Sequence, residues 1–356
     1  MPISLKHPRK NDLYNHTKVK KMVRVVFCLV LALSWHRSFS QEDIGFSITG
    51  SIKGLNDNTT IYLEYTEDDK KRLDSTTLLN GSFVFRGKLT AKAVYGIIRT
   101  ANYTNYKFLW LENTAMTFQA EKGNFRNAVI TGSQNQIEQD KLNELIKKAP
   151  ENKQIEIEQN FVRDNPSSMI SGHILNTYSS TWGKETTAAL YANFPEELKN
   201  SAYGRAIARF IALNKNIKVG DKYADFSQTD SQGKIVSLSS FEGKVVLLEF
   251  WGSWCGPCRK TNPELVKIYN EFKGRGFDVL GVAAETDKNN WLKAIEQDKL
   301  TWTNVSDLNG DKNEAAIIYG VSYYPTNFLI DKSGVIIARD LNIKQLRSKL
   351  AELVGK

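Results

Sequence analysis

The stretch that most constrains this chain is Trp251-Gly-Ser-Trp254-Cys255-Gly256-Pro257-Cys258-Arg-Lys260, set between the apolar run Val245 to Phe250 and a segment of helical spacing from about Pro257 to Phe272. A continuous apolar run of this length reads as a strand buried on both faces. Pro257 suits the first turn of the helix, where its missing N–H costs nothing. Pro263, six residues further on, is expected to kink that helix. Two cysteines three apart at a helix N-terminus can close a tight disulfide or present a dithiol. Unpaired helix N–H groups and the macrodipole favour negative charge there, and thiol pKa values in such motifs fall to about 3.5–7.5. Cys255 is therefore expected to be the nucleophile. Cys258, one turn inside, is expected to be shielded and to resolve a mixed disulfide.

Strands and helices alternate around this segment, with strands at Phe277–Ala283, Asn327–Asp331 and Val335–Arg339 and helices near Asn290–Gln297, Glu314–Tyr319 and Ile343–Val354. That alternation is the α/β signature, and residues 216–356 are read as one α/β domain. Upstream, residues 41–133 carry short alternating segments: Phe46–Ile52, Thr60–Tyr65, Phe83–Phe85, Tyr106–Leu111 and Met116–Phe118. Asn80-Gly81 is a hairpin signal between two of them, so an antiparallel, sandwich-like all-β domain is expected. Between the two, residues 134–215 switch to helical spacing (Ile137, Leu142, Leu145, Ile146; Tyr203, Ile207, Phe210, Ile211) and read as a helical connector packed on one or both neighbours. The charged segment Glu67 to Arg72 reads as a solvated loop, and His173 as an ordinary, partly buried histidine.

The formal charge of +9 invites a nucleic-acid reading, but eight Lys/Arg against the single acid Asp12 lie within residues 1–40. The remaining chain is nearly neutral, so no nucleic-acid partner is expected. Within this leader, the apolar run Val25–Leu33 follows basic residues and ends at Ser38-Phe-Ser40, the pattern of a signal peptide cleaved after Ser40. Translation is expected to start at Met22 as an alternative to Met1. Cys28 sits inside the apolar run, away from the cleavage point, and reads as a hydrophobe that is removed. An uncleaved leader would tether the chain to a membrane. The expected location is the periplasm or cell envelope, an oxidising space in which Cys255 and Cys258 are the two cysteines beyond the leader.

Trp254-Cys-Gly-Pro-Cys258 after an apolar strand, Pro263 in the helix and Tyr324-Pro325-Thr326 before a strand resemble the thioredoxin-fold oxidoreductases. The opening Val219-Gly-Asp221…Asp225-Phe226…Gly243-Lys244 and the extra segment Glu285–Tyr319 are similar to the TlpA-like, or redoxin, branch of secreted members. Asp74-Ser75, Asn80-Gly-Ser-Phe83 and Gly132-Ser133 resemble a domain of unknown function that precedes this module in envelope proteins of Bacteroidetes-type bacteria. The resemblance implies that Pro325 is a cis-proline facing the cysteines and that the Tyr324 backbone pairs with a substrate strand. Read from the residues alone, Tyr324-Pro325 could equally be a trans turn. The resemblance also aligns Glu249 with the buried acid of thioredoxin, and Glu249 is expected to accept the Cys258 proton, its pKa raised by desolvation. The alternative is a strand-end glutamate reaching solvent. Trp254, Gly256, Pro257, Tyr324 and Pro325 are the residues expected to meet substrate. Many family members carry a glutamate three residues after the second cysteine; here that position is Thr261, which weakens any cytochrome-specific reading.

A C-x-x-C pair is often half a zinc site, but zinc wants four ligands and no further cysteine remains. No metal and no cofactor are expected. The chain is thus expected to be a thiol:disulfide oxidoreductase working as a disulfide reductase. Its expected partners are disulfide-bearing envelope proteins and a membrane thiol-reductant donor. Two other readings compete: a peroxiredoxin-like peroxidase, disfavoured because the threonine of such enzymes is Gly252 here, and an envelope binding protein with a redox-regulated module.

Overall fold

The computed structural model describes residues 45–68 and 70–355. The leader, with Cys28, Met22 and the cleavage point after Ser40, lies outside them.

Eight strands come first: β1 (Phe46–Lys53), β2 (Thr60–Glu67), β3 (Lys70–Thr77), β4 (Ser82–Gly87), β5 (Ala93–Thr100), β6 (Tyr106–Glu112), β7 (Ala115–Glu121) and β8 (Val129–Thr131). They build two four-stranded sheets, ordered β4-β1-β7-β8 and β3-β2-β5-β6. Alternate residues of each sheet point inward, as in β1, whose Phe46, Ile48, Gly50 and Ile52 are buried. Ile48, Phe83 and Phe118 from one sheet meet Leu63, Ile98 and Leu109 from the other in a single apolar core.

The expected antiparallel arrangement fails at one pair, because β1 runs parallel to β7. Alternation reports which face is buried and is blind to the direction of a neighbour. Asn80-Gly81 does form the tight turn, with φ of 49° and 69° and reciprocal hydrogen bonds between Leu79 and Ser82. Yet the strands it joins, β3 and β4, enter different sheets. The charged segment is also corrected: it is a hairpin tip, with β2 and β3 paired from Thr60–Thr77 to Glu67–Lys70. Glu67 is buried, and its carboxylate accepts the backbone N–H groups of Thr90 (2.8 Å) and Ala91 (3.0 Å).

The connector comprises α1 (Gln134–Lys148), α2 (Gln154–Asp164), α3 (Met169–Trp182), α4 (Lys184–Ala192), α5 (Glu196–Lys199) and α6 (Ala202–Leu213). The Ser133 hydroxyl caps α1 by accepting from the N–H of Gln136. Leu142, Ile170, Leu175 and Ile207 pack with Ala93 and Trp110 of the sandwich. Ile137 and Leu145, expected on the buried stripe of α1, are instead exposed. His173 is partly buried among the rings of Tyr95, Trp110 and Tyr203, and its burial lowers its pKa to about 4.

The last part contains β9 (Ser227–Asp230), β10 (Ile235–Ser237), β11 (Val245–Trp251), α7 (Gly256–Phe272), β12 (Phe277–Ala283), α8 (Lys288–Asp298), β13 (Thr303–Ser306), α9 (Glu314–Tyr319), β14 (Thr326–Ile330), β15 (Ile336–Arg339) and α10 (Ile343–Val354). This is the thioredoxin fold, on a sheet ordered β10-β9-β13-β12-β11-β14-β15. Every residue of the central β11 is buried. Its Val245, Leu247 and Trp251 face the layer of α7 and α10, and its Val246, Leu248 and Phe250 face that of α9. The connector is tied to this part as well as to the sandwich. Arg209 Nη1 of α6 donates to the Lys312 carbonyl at 2.8 Å, and Asn214 Nδ2 donates to that of Ile317 at 2.8 Å.

Candidate active site at the first turn of helix α7

β11 ends at Trp251 and the chain turns into α7 within four residues, placing Cys255 at the helix N-cap. Its sulfur accepts the N–H of Cys258 at 3.2 Å, a position in which negative charge on Cys255 meets the unpaired amides of the first turn. Pro257 occupies that turn and Pro263 lies inside the helix, as read from the sequence. A disulfide joins Cys255 to Cys258, and both residues are nearly covered, at 3% and 1% exposure. Cys258 opens the buried stripe of α7, which continues through Asn262, Leu265, Ile268 and Phe272. Gly256 and Pro257 are exposed, and a side chain built on Gly256 would meet nothing within 4 Å. The disulfide is thus approached over a smooth, open backbone.

Trp251 and Trp254 separate as their surroundings require. Trp251 is buried, its indole donating to Asn304 Oδ1 at 3.1 Å. Trp254 is 58% exposed and lies beside the cysteines, its indole N–H donating to the Ala284 carbonyl at 2.8 Å. Its ring meets Tyr324 edge-on, with centroids 5.4 Å apart. The Tyr324-Pro325 bond is cis, and Thr326 Oγ1 closes this loop by donating to the Tyr323 carbonyl at 2.8 Å. The cysteine loop and the proline loop therefore meet through Trp254 and Tyr324.

Glu249 is 7% exposed, so the solvent-reaching alternative is excluded. Strand alternation puts it on the β11 face of Val245, Leu247 and Trp251, the face that packs with Cys255 and Cys258. Burial raises its pKa to about 8, with a smaller opposing effect from a hydrogen bond to Asn327. Asn327 is held in turn by its exchange with the backbone of Leu341.

Two braces of this site were not read from the sequence. Glu285 is almost fully buried, and its carboxylate accepts both the N–H and, at 3.0 Å, the hydroxyl of Ser253, two residues before Cys255. Arg259, next to Cys258, donates to the Ser253 carbonyl at 3.2 Å and forms a bidentate pair with Asp298 at the end of α8. Asn262 adds a third donor to Asp298 at 2.7 Å. An acid directly after an apolar strand was the available signal for Glu285; a partner 39 residues away left none for Arg259. Thr261 turns its hydroxyl back onto the helix carbonyls of Pro257 and Cys258.

Residues 219–339 match the AhpC/TSA family, and residues 46–139 match a family described only as a domain of unknown function, DUF4369. The thiol-disulfide oxidoreductase ResA of Bacillus cereus is 31% identical over 147 residues, covering 41% of this chain and 83% of the relative. ResA of Geobacillus thermodenitrificans is 34% identical over 129 residues, covering 36% of this chain and 72% of that protein. Among solved structures, the thioredoxin domain of a thiol-disulfide oxidoreductase from Bacteroides vulgatus is 35% identical, covers 39% of this chain and 99% of its own, and superposes with a TM-score of 0.37.

Proposed function

Because this chain belongs to the redoxin-type, thioredoxin-fold thiol-disulfide oxidoreductases, we propose that it acts as an exported disulfide reductase through the Cys255–Cys258 pair. In the dithiol form, the Cys255 thiolate attacks a substrate disulfide; one substrate thiolate leaves and a mixed disulfide forms. Glu249 takes the proton of the Cys258 thiol. The Cys258 thiolate then attacks the Cys255 sulfur, which releases the second substrate thiol and closes the Cys255–Cys258 disulfide. Two electrons have passed to the substrate, so a donor must return them before the next cycle. In an oxidising envelope that donor is a membrane thiol reductant, and the substrates are disulfide-bearing envelope proteins.

The observation that carries this reading is the placement of Cys255 at the N-cap of α7, with Cys258 covered behind it and Glu249 on the same layer. Trp254, Tyr324, Pro325, Gly256 and Pro257 form the surface on which a substrate strand would lie. The basic, apolar leader supports export to the periplasm or envelope, with membrane tethering if it stays uncleaved. Among the described residues, no helix is long and apolar enough to cross a membrane. The dipeptide Gly256-Pro257 favours the reducing direction.

A peroxidase reading is favoured by the AhpC/TSA match. Against it, a Cβ at Gly252 would lie 2.8 Å from the Trp254 indole, so a threonine there would displace the ring that bridges the two loops. The deciding measurement is the reduction potential of the pair, by thiol trapping in graded redox buffers. A value below about −220 mV supports a reductase and one near about −120 mV makes the chain an oxidant. Turnover of hydrogen peroxide at rates above those of disulfide exchange would replace both.

A further inference from the structure

Strand β3 forms one edge of the sheet β3-β2-β5-β6, and among the described residues no strand pairs with its outer side. All of it except Thr76 is exposed, including Leu73 at 54%. An open edge of this length presents a row of unmet N–H and C=O groups. The hairpin decides which residues present them. Glu67 faces Lys70 across a two-residue connection, and in such a hairpin the flanking pair exchanges both hydrogen bonds. Alternation then directs the groups of Arg72 and Asp74 toward β2, and those of Lys71, Leu73 and Ser75 outward.

We propose that β3 pairs antiparallel with β3 of a second copy of this chain, centred on Leu73. The backbone allows registers in which outward groups meet outward groups, and charge chooses among them. With the two-fold axis at Leu73, Arg72 faces Asp74 of the second copy and Asp74 faces its Arg72. Lys71 faces Ser75, Lys70 faces Thr76, and Leu73 faces Leu73. Moving the axis by one residue sets Arg72 against Arg72 or Asp74 against Asp74. Opposite charges directly across a strand pair stabilise it and like charges oppose it. Charged side chains on an edge ordinarily prevent pairing with foreign strands. Here their order, basic before Leu73 and acidic after it, excludes most partners and admits the chain's own two-fold image. Two sandwiches would then share one continuous eight-stranded sheet, each with its own redox module.

Sedimentation of the purified full-length chain over a concentration series tests this. The expected result is a concentration-dependent dimer that Arg72→Asp weakens by about tenfold or more. The double exchange Arg72→Asp with Asp74→Arg should restore it. Leu73→Pro should abolish it while leaving the β2–β3 ladder intact, since the N–H it removes points outward. Thermal melting and disulfide exchange, followed for each variant, report that the chain is folded. A monomer at every concentration, a dimer indifferent to Arg72→Asp and Leu73→Pro, or a double exchange that fails to restore the dimer would overturn the proposal.

Discussion

Glu67 in the sandwich and Glu249 in the thioredoxin-fold module are both strand glutamates, and both are 7% exposed. Glu67 turns its carboxylate onto two backbone amides, of Thr90 and Ala91, and so closes a loop over the sandwich rim. Glu249 has the Asn327 side chain as a partner and lies on the apolar layer that also holds the cysteines. Equal burial thus gives opposite outcomes. Where backbone donors converge, the carboxylate ties a loop to the sheet; where they are scarce, desolvation raises the carboxyl's pKa. The same contrast separates two of their strands, since β1 leaves one face wet and β11 leaves none.

The largest effect should come from the module alone. Cys255→Ser is expected to end exchange completely, and Cys258→Ser to leave a trapped mixed disulfide, both read by mass spectrometry after mixing with a disulfide-linked peptide. Glu249→Gln is expected to slow exchange about a hundredfold at neutral pH, within the range of a lost general base, and to remove a rate transition near pH 8. Its effect on stability has the opposite sign. The folded state holds the Glu249 proton to about pH 8, whereas the unfolded chain releases it near 4.5. The native state is therefore favoured fully below that lower value and loses this advantage as pH rises toward 8. Melting curves should accordingly show the Gln variant gaining on the parent across this window; parallel curves would contradict the assignment.

Glu67→Ala is expected to cost about 1–2 kcal/mol by removing the acceptor of two part-buried backbone hydrogen bonds, measured by urea unfolding, with exchange per folded molecule unchanged. A fall in exchange rate would break the contrast between the two glutamates. Glu285→Gln should cost about 1 kcal/mol and speed hydrogen exchange at the Ser253 amide, since a charged acceptor is replaced by a neutral one. The smallest effect belongs to the connector: Arg209→Ala removes an exposed ion pair to Glu314 and an exposed hydrogen bond to the Lys312 carbonyl, and should change stability by about 1 kcal/mol or less.

Much of the module was legible in the sequence because its signals are local. An apolar run marks β11, a proline after a cysteine marks the start of α7, and a lone glutamate in that run marks Glu249. The sandwich yielded five strands with large apolar inward residues but not β5, which is buried on both faces and so shows no alternation. β3 offers no buried alternation, and β9, β10 and β13 are only three or four residues long. The parallel partnership of β1 with β7 and the reach of Arg259 to Asp298 depend on which elements meet across the fold, and no neighbouring residue encodes either.

That parallel partnership also sets an order of events during synthesis. The β2–β3 hairpin can form as soon as its turn is made, but β1 must wait for β7, with five strands intervening, before its sheet can close. Long-range pairing of this kind is slow, and chains fold from the N-terminus as they emerge. Cys255 and Cys258 lie far beyond β7, so both thiols emerge only after every strand of the sandwich has been made. The sandwich can therefore begin to close before the two thiols meet.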